Sequence, residues 1–177
     1  MDNLPQLHTG SLVLVLASPA LGIQVMTDFT ARLALGGPVR VLDGGNRFAA
    51  YPLARTVRRY SSQLEEVMRR VQIARAFTCY QMLALLAQSS EVPIPTLVLD
   101  LIATFLDESV ALIERRYLLR QATDHLLRLS QQAPVAVSSS PLTADQPGDL
   151  LQALVETADH IVRFEEPPPP HTQLRLL

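Results

Sequence analysis

The sequence predicts an α/β fold: a three-layer sandwich with a mostly parallel central sheet and a C-terminal antiparallel pair of strands. Three observations carry this. Short apolar runs alternate with amphipathic stretches of helical period along most of the chain, the pattern of repeated β-α-β units. The first run, Leu12 to Leu16, is continuously apolar, as a strand covered on both faces must be. Near the end, Val162 and Phe164, and then Leu174 and Leu176, alternate with polar residues, as paired strands with one wet face do.

Each element follows from its local chemistry. Met1 to Gly10 is a polar entry segment. After the first strand comes a helix from Ala20 to Leu35, with Val25, Met26, Phe29 and Leu33 at helical spacing, stopped by Gly36-Gly37-Pro38. Val39 to Leu42 is a second strand, closed by the turn Asp43-Gly44-Gly45-Asn46. Phe48 to Tyr60 reads as partly helical. Ser62 and Glu65 have the spacing of a capping box, opening a helix with Leu64, Val67, Met68 and Val71 on one face and ending near Arg70. Glu65 and Arg69, like Glu66 and Arg70, stand four apart and can pair. Val71 to Ala76 is a third strand, Thr78 to Ser89 a helix, and Thr96 to Asp100 a fourth strand ending in a carboxylate. A long helix is expected from Glu108 to Gln132, with Leu119, Ala122, Leu126 and Leu129 sharing a face, before Pro134 breaks it. Val135 to Ser138 and His160 to Phe164 are further strands around a loop, Pro141 to Gly148, and a short helical or irregular segment, Leu150 to Thr157. A proline-rich connection over 165–172 leads to a last strand, Gln173 to Leu177.

Composition narrows the function classes. A chain of 177 residues suits one domain, here the whole of 1–177. The net charge of −2 is not that of a bulk polyanion binder, so any nucleic-acid contact needs a local patch. All 15 basic residues are arginine, which excludes every mechanism that requires a lysine. Cys79 is the single cysteine; with no intrachain disulfide available and no basic leader, a cytoplasmic setting is the default. No stretch reaches the roughly 20 apolar residues of a membrane span. Mean hydropathy is +0.18, an apolar surplus that points to a protein partner or a homodimer. His8, His125, His160 and His171 show no ligand spacing, so no metal is expected. Cys79 reads as a small buried hydrophobe, and Ser138-Ser139-Ser140 lacks the glycines of a nucleophile elbow.

Three stretches together resemble the RecA-like recombinase core, especially its archaeal RadA and eukaryotic branch. Arg70-Val71-Gln72-Ile73-Ala74-Arg75-Ala76-Phe77-Thr78 with Tyr80-Gln81 is similar to the family's strand ending in Ala-Arg-Ala-Phe. Thr96 to Phe105 is similar to its Walker B strand, and Leu126 to Leu129 leading into Pro134 to Ser140 to the helix and strand that follow. The resemblance implies a P-loop NTPase fold with a degenerate Walker A loop. The loop needs G-x-x-x-x-G-K-[ST]. Here Ala17 takes the first glycine, Gly22 keeps the second, Ile23 stands in place of the lysine and Gln24 in place of the hydroxyl. Gly45 falls where the family carries its catalytic glutamate, and Ser140 where it carries a polar sensor; Asp100 keeps the Walker B position. The resemblance therefore implies no ATP site, no cofactor and no catalysis, in an accessory or paralogue-type factor of DNA recombination or repair that works through protein contacts.

Two alternatives stay open. One is a nucleic-acid-binding module using Arg55, Arg58, Arg59, Arg69 and Arg70, with tyrosines nearby for stacking. The other is a weak residual ATPase. The family's two DNA loops correspond to Leu106-Asp107-Glu108-Ser109, which is acidic, and to Pro141 to Leu151, which has two aspartates and no arginine. Both speak against DNA held in the family's manner.

Overall fold

The computed structural model describes residues 5–89 and 92–164. Six strands form one sheet in the order β3-β2-β4-β5-β1-β6. They are β1 Leu12–Ala17, β2 Val39–Asp43, β3 Val71–Arg75, β4 Thr96–Leu99, β5 Val135–Ser139 and β6 His160–Phe164. Every strand pairing is parallel, so all six C-terminal ends lie along one edge of the sheet. Each parallel step needs a crossover, and helices supply them: α1 Pro19–Gly36, α2 Ala50–Val57, α3 Leu64–Arg69, α4 Cys79–Ser89, α5 Leu112–Ser130 and α6 Gly148–Thr157.

The strand residues alternate between two cores. Leu12, Leu14 and Leu16 face α4, α5 and α6, in a cluster with Phe105, Leu119 and Leu126. Val13, Val15 and Ala17 face the other way, with Val25, Met26 and Phe29 of α1 and Leu53 and Val57 of α2. Period-2 alternation of one unbroken apolar run thus builds both layers at once. The four leucine- and alanine-type positions expected to share a face on α5 are all buried.

Several expectations change. The helix expected from Glu108 begins at Leu112, and a 3₁₀ turn over Leu101–Phe105 precedes it. The backbone N–H of Ser109 donates to the Asp107 carboxylate at 2.9 Å, a local turn that competes with helix start. The capping box does not form: the N-cap is Gln63, without a side-chain cap bond, and the Gln63 N–H donates to the Ser61 hydroxyl at 3.0 Å. α6 is a regular helix. β6 pairs with β1 in parallel; the strand expected over 173–177 as its antiparallel partner, and the connection over 165–172, lie outside the described residues. Among the described residues no helix is long and apolar enough to cross a membrane.

α4 and α5 are tied at the surface as well as in the core. The Tyr80 hydroxyl donates to Glu114 Oε1 at 2.6 Å, and this bond is the leading cause that pushes the phenol up to about 12. The bond favours the protonated phenol in the folded state. Its contribution to stability is therefore present below the ordinary phenol pKa of 10 and is lost as pH rises through about 12. In a tyrosinate absorbance titration, one of the four tyrosines should ionise late, and Glu114→Gln should bring it down. A titration without a late component would show that the link is not made in solution.

Candidate functional site

Four consecutive strands of the sheet, β2, β4, β5 and β1, end around one small cleft. Its walls are Ala17, Pro19, Gly22 and Ile23 after β1; Asp43, Gly45 and Arg47 after β2; Leu99 and Asp100 after β4; and Ser138, Ser139 and Ser140 after β5. The chain leaves β1 and β2 toward the helices of one face, and β4 and β5 toward the helices of the other. A crevice opens where connections diverge in this way, outside the carboxyl ends of the strands. Here it holds only ≈ 20 Å³ of space for water, about one molecule.

The β1–α1 connection is short. β1 ends at Ala17 and α1 begins at Pro19, so Ser18 alone lies between them. Residues 19–22, which would have to wrap a phosphate, are already the first turn of α1. The Gly22 N–H donates to the Ser18 carbonyl at 2.7 Å, an ordinary helical bond, so it is not turned toward the cleft as an anion donor. Pro19 has no N–H to offer. Ile23 lines the cleft with a hydrocarbon side chain. Gln24 does not join it: one residue further round the helix, it is exposed and lies beside α2.

Asp100 occupies the centre of the cleft. Its backbone is left-handed, with φ 50°, and its N–H donates to the Ser138 hydroxyl at 3.0 Å. Both carboxylate oxygens are engaged by one residue: Ser140 donates its N–H to Oδ1 at 3.0 Å and its hydroxyl to Oδ2 at 3.1 Å. The carboxylate therefore ties the end of β4 to the end of β5. Gly44 and Gly45 pack against the same residue. A Cβ on Gly44 would meet the Asp100 and Leu99 carbonyl oxygens at 3.0 and 3.1 Å, and one on Gly45 would meet Asp100 Cβ at 3.1 Å. The space a side chain on Gly45 would need is thus taken by the neighbouring aspartate.

Asp43, expected to close β2 in a turn, is structural. It is fully buried and accepts the N–H groups of Arg47 at 3.2 Å and Phe48 at 2.9 Å, with Arg75 Nε at 3.5 Å. A carboxylate directly before Gly-Gly at a strand end is the signal that marks such a turn.

The arginine candidates separate into two groups. Arg69 pairs with Glu65 at 3.6 Å and Arg70 with Glu66 at 2.6 Å, as their spacing predicts. Arg70 also donates to the Ala34 and Leu35 carbonyls, closing the C-terminus of α1. These two belong to the scaffold. Arg55, Arg58 and Arg59 lie exposed on α2 and the turn after it. On α5, Arg115 is buried and donates to the Phe105 carbonyl, while Arg116 pairs with Asp149 at 2.6 Å.

The remaining groups are inert by geometry. Cys79 is buried, and that burial pushes its thiol up, away from reactivity. His125 accepts or shares a hydrogen bond with Arg128 at 2.7 Å, and burial and that cation hold its pKa down. Among the described residues no cluster of three His, Cys, Asp or Glu side chains could hold a metal; His171 lies outside them. No protein-family model matches the chain, and no curated protein matches it.

Proposed function

We propose that this chain is a catalytically silent RecA-like domain, an accessory or paralogue-type factor in DNA recombination or repair that acts through protein contacts. One observation carries the reading. The positions that the resemblance aligns with Walker A, the catalytic glutamate, Walker B and the sensor are far apart in sequence, yet Gly22, Ile23, Gly45, Asp100 and Ser140 line a single cleft. All five stand at or just after the carboxyl ends of strands, and their meeting in one crevice supports the reading. Ile23 offers no cation for a phosphate, Gln24 no hydroxyl for Mg²⁺ and Gly45 no base for a water. Ser140 takes up both oxygens of the surviving carboxylate.

The loops corresponding to the family's DNA channel carry charge of the wrong sign. Hydrogen bonds from Ser109 hold Asp107 below the usual carboxylate range, and a hydrogen bond from Thr143 does the same for Asp145. Both are anionic at neutral pH and would repel a phosphate backbone. Protein contact is favoured instead by exposed apolar and aromatic side chains, with Ile113 and Tyr117 one turn apart on α5 and Phe77 and Tyr80 nearby in sequence on α4 and its approach.

The test is nucleotide binding by calorimetry. ATP–Mg²⁺ should give no heat of binding at micromolar concentrations. Ile23→Lys with Gln24→Thr should not restore it, because the first turn of α1 occupies the wrapping residues. Micromolar binding by the unaltered chain would overturn the proposal.

A further inference from the structure

Among the described residues, three neighbouring arginines share a surface without counter-charges. Arg32, Arg69, Arg70, Arg75 and Arg116 each stand against a carboxylate. Arg55, Arg58 and Arg59 do not: among the described residues none of them has an ion pair. The sequence shows why. From Gly44 through Leu64 there are four arginines and no Asp or Glu, although the chain as a whole is at −2.

Geometry gives this surface a direction. Tyr51, Arg55 and Arg59 follow one another at four-residue steps, so they stand on one side of α2, about 6 Å apart along its axis. Beyond the helix end the chain tightens, with the Arg59 N–H donating to the Thr56 carbonyl at 3.0 Å, and Arg59 still lines the same groove. With Gln24 of α1, these three line an open groove. Arg58 flanks it. Tyr51 is 73% exposed, so its face is open to a ligand in the groove.

We propose that this groove binds single-stranded nucleic acid, with Arg55, Arg58 and Arg59 on successive phosphates and Tyr51 stacked on a base. Guanidinium and phosphate match in charge and in their paired hydrogen-bonding edges. An exposed ring beside a basic track is the arrangement that holds unpaired bases, whose faces are open, whereas in a duplex those faces are already stacked. An acidic peptide would answer the guanidiniums but leave Tyr51 without a role. The site is distinct from the cleft at the strand ends and does not rest on the kinship proposed above.

The experiment is fluorescence anisotropy of a labelled oligothymidylate with the full chain, titrated between about 50 and 200 mM salt. The wild type should bind with a log–log salt slope near −2, from about −0.7 for each of three phosphate contacts. The combined change Arg55→Gln, Arg58→Gln, Arg59→Gln should abolish both binding and slope. Tyr51→Ala should weaken binding about 5- to 150-fold, the range for loss of one stacked base, while Tyr51→Phe should bind as the wild type does. All four side chains are exposed, so the variants should fold, which far-UV circular dichroism checks. Absence of binding by the wild type at the lowest salt overturns the proposal. So does an unchanged affinity in Tyr51→Ala, or equal affinity for duplex DNA. Equally tight binding of polyglutamate would reassign the groove to acidic proteins.

Discussion

Phe105→Ala is expected to lower the free energy of unfolding by about 3–5 kcal/mol, the largest effect of any single truncation considered for this chain. Phe105 is 0% exposed and is the bulkiest of the fully buried side chains. It sits at the end of the 3₁₀ turn after β4 and packs into the core shared with Leu101, Ile102 and the helices α4, α5 and α6. Its carbonyl also receives Arg115. Truncation removes the ring's transfer free energy and leaves a cavity that elements on three sides cannot collapse to fill. Urea denaturation should show a lower midpoint at an unchanged slope. A loss below about 1 kcal/mol would mean that this core is not packed as described.

Asp43→Ala should cost about 1–3 kcal/mol, because the buried Phe48 N–H loses its acceptor, with a smaller loss from the part-buried Arg47 N–H. The donors are the N–H groups of Arg47 and Phe48. The third contact, with Arg75, adds little, since that guanidinium is half exposed and screened by water. Asp43→Asn keeps one carbonyl oxygen and should cost less. The same denaturation experiment checks both, and equal stability of all three proteins would count against the buried turn. The consequence reaches the cleft, because this turn carries Gly44 and Gly45 against Asp100.

Much of the fold was legible before any coordinates. Strand and helix identities rest on local properties: the unbroken apolar run of Leu12 to Leu16, the Gly36-Gly37-Pro38 stop, the carboxylate and glycines after Leu42. Errors fall where a side chain competes with the backbone over two or three residues. Asp107 delays the start of α5, and the Ser61 hydroxyl takes the Gln63 N–H beside the start of α3. Pairings at i and i+4 were equally legible, so Glu65 with Arg69 and Glu66 with Arg70 came out as spacing requires.

The site was legible in its residues but not in its contacts. That Ala17, Ile23 and Gln24 bring neither a charge nor a hydroxyl is plain from the sequence alone, because no geometry gives isoleucine a charge. That Gln24 leaves the cleft for the α2 groove follows from the 100° turn between neighbouring helix positions, once α1 is seen to start at Pro19. That Asp100 spends both oxygens on Ser140, 40 residues away, is a long-range fact with no local trace.

By itself, then, the sequence determined the alternating α/β elements, the apolar strands buried on both faces, the absence of lysine from any mechanism, and an acid-free arginine stretch from Gly44 to Leu64. Only the tertiary structure decided that all six strands run parallel, that four strand ends close on a cleft with room for about one water, and which arginines are neutralised. The reason is physical. Periodicity and turn chemistry act over a few residues, whereas strand order, ion pairing and cleft shape depend on which distant surfaces the buried cores bring into contact.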